Sequence, residues 1–195
     1  MHLFFLILSL FPNSKNESSP SYLKYLSHIE KSFIINAKNQ YNLDCSATGG
    51  KMPYDIEEVG ISFSIQRQLN LDEARFLEIS LIEDFLNRIN SNEEIRPFLR
   101  EYPFTSKRVN ISIACIDSQG KFYRTPLTYI SNINGKIYYK IDVPKGTFIK
   151  VKEESFEEAQ RLAHENPISM EVPQPTFREE IRNTWDQIKS LFTSP

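Results

Sequence analysis

The stretch "VGISFSIQRQLNLDEARFLEISLIEDFLNRIN", Val59 to Asn90, changes its period halfway along. Val59, Ile61, Phe63 and Ile65 alternate with Gly60, Ser62, Ser64 and Gln66. A period of two puts one face of a strand into a core. From Asn70 onward the period is helical. Ala74, Leu77, Leu81, Ile82, Phe85 and Ile89 fall on one face, which Ile79 and Leu86 broaden, while Glu73, Glu78, Glu83 and Asp84 supply the polar side. Asn70 and Glu73 have the spacing of a capping box, with Asn as the cap. A strand followed by so broad-faced a helix predicts that the helix covers the sheet.

The flanks extend this frame. Upstream, Tyr22, Leu26, Ile29 and Phe33 make a helical stripe over 21–39, just after Pro20. The stretch "DCSATGGKMPYD", Asp44 to Asp55, predicts a turn, with Gly49 and Gly50 supplying flexible geometry and Pro53 stiffening the strand entry. It is no phosphate loop, since the first glycine and the Ser/Thr after Lys51 are missing and a strand follows instead of a helix. Downstream, "NEEIRPFLR" is a short helical piece interrupted by Pro97. Val109, Ile111, Ile113 and Cys115 alternate as a strand that buries Cys115, and "DSQG" from Asp117 is a turn. "LTYISNINGKIYYKID" is a hairpin around Asn134-Gly135, the preferred type I′ pair. A short amphipathic helix from Ser155 carries Phe156, Ala159, Leu162 and Ala163. Hairpin-joined strands with helices between them predict an α+β fold: an antiparallel sheet of about four strands, with helices on one face.

Composition narrows the function classes. The chain has 195 residues, a formal net charge of -2 and scattered Lys and Arg, so no global field draws in nucleic acid. Two cysteines make no disulfide framework, and three histidines lie far apart with no metal-ligand spacing. No catalytic, cofactor-binding or metal residue stands out. The apolar run "LFFLILSLF", Leu3 to Phe11, is too short for a bilayer, which needs about 20 residues. It fits the apolar region of a secretory leader, and a polar stretch, "NSKNESSPS", follows after Pro12. The other reading makes it a strand or helix of the fold. Cys45 lies too far downstream of this run to be a lipid-attachment site. The expected organisation is a leader and linker over 1–20, an α+β domain over 21–165, and a proline-containing linker with an amphipathic helix over 166–195.

Several residues are candidates for chemistry. Asp55, Glu57 and Glu58 could be acid/base carboxylates, or simply a solvated strand entry. Asp55, Glu57, Arg67, Arg108 and His164 would have to converge in one cleft to make an enzyme. His164 near a helix C-terminus also suits the dipole. Cys45 is the more exposed thiol, and a Cys45–Cys115 disulfide would need suitable geometry. In the last segment Phe177, Ile181, Trp185, Ile188 and Phe192 repeat at helical spacing behind a capping box at Thr176 and Glu179. This stripe either docks on its own domain or binds a protein partner. Its polar face is charge-balanced, unlike the basic face of a membrane-surface helix.

The block "MPYDIEEVGISFSIQRQLNLDEARFLEISLIEDFLNRIN" with "IRPFLREYPFTSKRVNISI", about Met52 to Ile113, resembles a family of uncharacterised exported proteins of intracellular bacteria. The resemblance implies export and no particular reaction or cofactor. The expectation is an exported, non-enzymatic interaction module of the envelope or host interface. An enzyme with a dispersed site and an intracellular interaction protein are the alternatives.

Overall fold

The computed structural model describes residues 21–143 and 146–168. The run Leu3 to Phe11 and the stripe Phe177, Ile181, Trp185, Ile188 and Phe192 lie outside the described residues. The chain is α+β, with three helices on a mixed six-stranded sheet among the described residues. Helix α1 (Ser21–Tyr41) leads into strands β1 (Asp44–Lys51) and β2 (Glu58–Ile65). Helix α2 (Leu71–Ser91) then crosses to β3 (Val109–Cys115). Strands β4 (Tyr129–Ile133), β5 (Lys136–Val143) and β6 (Thr147–Ser155) meander into helix α3 (Phe156–Glu165).

Local chemistry accounts for the element ends. The expected capping box is present: Asn70 Oδ1 accepts from the Glu73 N–H at 2.9 Å, and Glu73 Oε2 accepts from the Asn70 N–H at 2.9 Å. Helix α1 stops at Asn42, whose left-handed backbone (φ 55°) lets its N–H donate to the Lys38 carbonyl. The β4–β5 turn has φ of 52° at Asn134 and 73° at Gly135, as a type I′ hairpin requires. Ser155 caps α3 by accepting from the Glu158 N–H.

The sheet departs from expectation in three ways. Its order is β1-β2-β3-β4-β5-β6, six strands rather than about four. It is mixed, because β2 and β3 run parallel, with Val59 opposite Val109 and Ile65 opposite Cys115. Two parallel strands need a crossover, and α2 supplies it. The third difference is local: "DCSATGGK" is not a turn but the edge strand β1, paired antiparallel with β2 from Asp44↔Ser64 to Lys51↔Glu58. The reversal itself lies in the residues just after Lys51. The Cys45–Cys115 disulfide also falls away. Cys45 faces Phe63 on β2, and Cys115 lies one strand further on, opposite Ile65. Two strand spacings are about 9–10 Å, beyond the reach of a disulfide. Both thiols are free.

The core lies between the helices and one sheet face. Val59, Ile61, Phe63, Ile65, Val109, Ile111, Ile113 and Cys115 are buried beneath Leu26, Ile29 and Phe33 of α1 and Ala74, Leu77, Leu81, Ile82 and Phe85 of α2. Phe33 joins these layers edge-on, 5.8 Å from Phe63 and 5.2 Å from Phe85. The opposite face carries Gly60, Ser62, Ser64, Asn110 and Ser112.

Glu78 belongs to the core, not to the polar side of α2 where its residue type had placed it; it is fully buried, and Arg75 nearly so. Helix α2 is covered by the sheet beneath and by α1 and α3 beside it, so even part of its polar arc is enclosed.

Replacing Phe33 by Ala should destabilise the fold by about 3–5 kcal/mol, the range for a buried Phe whose cavity cannot collapse. Leu23→Ala, on the exposed side of the same helix, should stay within about 0.5 kcal/mol. Urea unfolding of the two variants beside the parent checks both values.

Candidate functional site

The parallel β2–β3 pair sets where the candidate residues can meet. It brings the start of β2 beside the start of β3, so Asp55, Glu57 and Arg108 share one end of the sheet. Arg67 follows β2 at the opposite end, paired with Glu73 at 3.1 Å. His164 sits on α3 against Glu83, with Nε2 3.0 Å from Oε1. The five residues thus occupy three places.

At the shared end Arg100 forms the hub, a residue the sequence did not single out. Its Nε donates to Asp55 Oδ2 at 2.7 Å and its Nη2 to Asp55 Oδ1 at 2.8 Å and Glu57 Oε1 at 2.5 Å. Lys51 meets Glu57 from the other side at 2.5 Å, and Arg108 pairs with Glu101 at 3.1 Å. The Arg100 hydrogen bonds hold Asp55 below the usual carboxylate range, Lys51 does the same for Glu57, and Arg108 does so for Glu101. A general acid needs the opposite shift, toward neutral pH. What this cluster does is mechanical. It ties the β1–β2 reversal to the segment after α2, where Ile56 exchanges backbone hydrogen bonds with Phe98 (2.8 Å) and Arg100 (3.0 Å). Glu58 accepts from Asn110 Nδ2 at 2.7 Å.

A second polar cluster lies under α2. Arg75 holds Glu154 of β6 with two hydrogen bonds, 2.9 Å from Nε and 2.7 Å from Nη2, and reaches Asp72 at 2.5 Å. Tyr139 Oη lies 3.3 Å from Glu154 Oε2, and Lys152 also pairs with Glu154. Burial alone would raise the Glu154 carboxyl, but Arg75 and Lys152 hold it below the usual range. Burial and the nearby Glu154 charge push the Tyr139 phenol up. Glu78 is the extreme case. Burial lifts its carboxyl well above the usual range, only partly opposed by the neighbouring Asn132 N–H. Neither carboxyl oxygen has a hydrogen-bond partner, and the same holds for Asn132 Oδ1. Enclosure of this kind disfavours the charged form. Enclosure also denies it a substrate.

Cys115 is a core thiol, as its alternation predicted: buried, and pushed up to about 12 by that burial. Burial raises Cys45 as well, which lowers its thiolate fraction.

The face of the sheet away from α2 differs in kind. Its register rows run Ser62–Ser112–Ser131–Tyr138–Glu153 and Ala114–Tyr129–Lys140–Lys150. Phe148 stands in the open beside this second row, 5.7 Å from Phe122 edge-on and 5.9 Å from Tyr129. Lys140 Nζ lies over both Tyr129 (5.5 Å) and Tyr138 (5.8 Å), and Lys150 Nζ lies over Tyr138 (5.5 Å). The result is an aromatic platform interleaved with cations. Only the alternation Tyr138/Lys140 within the hairpin hinted at it. Phe148 and Lys150 belong to β6, a strand missing from the sequence reading. A separate groove of about 480 Å³ runs along α1, lined by Lys24, Tyr25, Ser27, His28 and Lys31 with Asn92 and Glu94. Among the described residues no helix is long and apolar enough to cross a membrane, and no group of three or more His, Cys, Asp or Glu is placed to hold a metal ion.

The upward shift of Glu78 carries a sign. Its folded-state carboxyl is raised above the ordinary value of 4.5. The folded protein therefore binds the proton more tightly, and stability from this group falls as pH rises above that value. Glu78→Gln removes the dependence, so the difference in unfolding free energy should move in the variant's favour between about pH 4 and pH 7. Parallel urea titrations across that range check it, and a pH-independent difference would contradict the assignment.

Comparison with family models, with curated proteins and with solved structures finds no match for this chain.

Proposed function

We propose that the chain is an exported, non-enzymatic interaction module of the bacterial envelope or host interface. The observation that carries this reading is the contrast between two kinds of side chain. The carboxylates at the shared end of β2 and β3 are pinned in ion pairs, and Glu78 is sealed. Meanwhile Phe122 and Phe148 are exposed on the sheet face away from α2 and meet edge-on, with Phe148 also against the half-buried Tyr129. Acid/base chemistry needs a reachable group of tuned pKa; recognition needs reachable aromatic and polar surface.

Export rests on the apolar run Leu3 to Phe11, whose length fits the apolar region of a secretory leader. The C-terminal stripe Phe177, Ile181, Trp185, Ile188 and Phe192 is the proposed partner-binding element, joined to the domain after α3 by the proline-containing segment. The resemblance to exported proteins of intracellular bacteria agrees with this role.

The test is the N-terminal mass of the protein recovered from fractionated native cells. A mature start between Ser14 and Ser21 in an exported fraction is expected. An intact Met1 in the cytosol would overturn export and make Leu3 to Phe11 a candidate part of the fold.

A further inference from the structure

The two edges of the sheet are built differently. Strand β6 carries Lys150, Lys152, Glu153 and Glu154 over its last turns of pairing, and a register shift falls at Tyr139/Lys140 where it meets β5. Charge and irregularity of this kind discourage edge-to-edge pairing. Strand β1 has a register shift of its own, at Cys45/Ala47, but carries charge only at its two ends. Between Asp44 and Lys51 it reads Cys-Ser-Ala-Thr-Gly-Gly, and every residue but Cys45 is exposed. Its outer edge has no strand beside it among the described residues. The backbone N–H and C=O groups along that edge are therefore free to pair.

We propose that this edge pairs antiparallel with the β1 edge of a second copy, joining two six-stranded sheets about a twofold axis. The end charges select this occupant. Antiparallel self-pairing centred between Ala47 and Thr48 sets Asp44 opposite Lys51 of the second copy, and Lys51 opposite its Asp44. The contact is isologous, so one favourable pairing occurs twice. Each end already has a companion within its own chain, Lys38 to Asp44 at 2.8 Å and Lys51 to Glu57 at 2.5 Å. Across the axis these become rows of alternating sign, Lys38–Asp44–Lys51–Glu57. Sterics agree with the charges. Ser46, where the β1–β2 register shifts, falls opposite Gly49 of the second copy. A Cβ built on Gly49 would meet nothing within 4 Å, so space is open there. Alongside, a groove of about 340 Å³ runs over Ala47 to Lys51 and onto Gly60 and Ser62. This self-association goes beyond the interaction reading and does not depend on export.

The experiment is sedimentation equilibrium of the full chain with a charge-swap set: the parent, Asp44→Lys, Lys51→Asp, and the double variant. The parent should approach twice its chain mass of 22.8 kDa at about 100 µM and dissociate on dilution, as expected for micromolar affinity. Each single substitution places two like-charged pairs across the axis and should weaken association about tenfold. The double variant restores opposite charges and should recover it. Both positions substituted are exposed, and a thermal melt of each variant verifies folding. A parent that stays at 22.8 kDa throughout would overturn the proposal. So would a dimer indifferent to the single substitutions, or one that the double variant fails to rescue.

Discussion

Seven residue pairs of parallel β2–β3 ladder, from Val59↔Val109 to Ile65↔Cys115, constrain nearly everything else in this molecule. Parallel neighbours cannot be joined by a turn, so the chain between them must travel back along the sheet. That return is α2, and its length matches the need: 21 residues rise about 30 Å, enough to span the strands and the turns at their ends. Because α2 lies centrally, α1 and α3 pack to its two sides, and the helical layer is complete on one face. The same ladder brings the strand entries together. Asp55, Glu57, Arg100 and Arg108 become neighbours at one end, while Arg67 is carried to the other.

The polar cluster under α2 has a different effect. A buried ion pair such as Arg75–Glu154 adds little net stability, since desolvation of the two charges offsets their attraction. Its value lies in what a misplaced helix would leave behind. Sliding α2 by one turn would cost the Glu154 carboxylate its two Arg75 hydrogen bonds and leave Lys152 as its remaining cation, and an under-paired buried charge is more costly than a matched one. Glu78 has no such partner, and its burial instead favours the uncharged form. One side of α2 thus holds a charge that fixes docking, and the next turn holds a carboxyl that titrates out of the way. We regard this as the reason α2 can bury two ionisable residues within four positions.

How much could be read from sequence depended on whether a segment had one wet and one dry face. Val59 to Ile65, the capping box at Asn70 and Glu73, the Asn134-Gly135 hairpin and the buried Cys115 were all legible, since each couples a local pattern to a local geometry. Strand β1 was not. Both of its faces are exposed, so no apolar alternation marks it, and Gly49-Gly50 reads as a turn. Strand β6 escaped for the same reason: Phe148, Ile149 and Val151 are exposed, and charges interrupt them. The parallel ladder is non-local, and alternation along β2 says nothing of which strand lies beside it. Glu78 was misplaced because its residue type outweighed its position next to Leu77 and Ile79. The candidate site was less legible than the fold. Arg100 reaches Asp55 and Glu57 across more than 40 positions of chain, and the aromatic platform draws on three strands and a loop.

The arrangement of charge bears on what such a surface can do. Carboxylates in strong ion pairs are poor proton donors and poor acceptors, since pairing stabilises the ionised form and removes lone pairs from reach. Glu153 illustrates the limit: hydrogen bonds from Lys136 and Lys150 hold its carboxyl down to about 2. Lys150 also lies over the Tyr138 ring at 5.5 Å, so one cation neutralises an acid and overlies an aromatic ring at once. An aromatic ring loses little conformational freedom on contact and offers a large flat area. A lysine above it keeps the platform hydrated and limits indiscriminate hydrophobic association. The two sheet edges differ in the same terms, with charge spread along the second half of β6 and confined to the ends of β1.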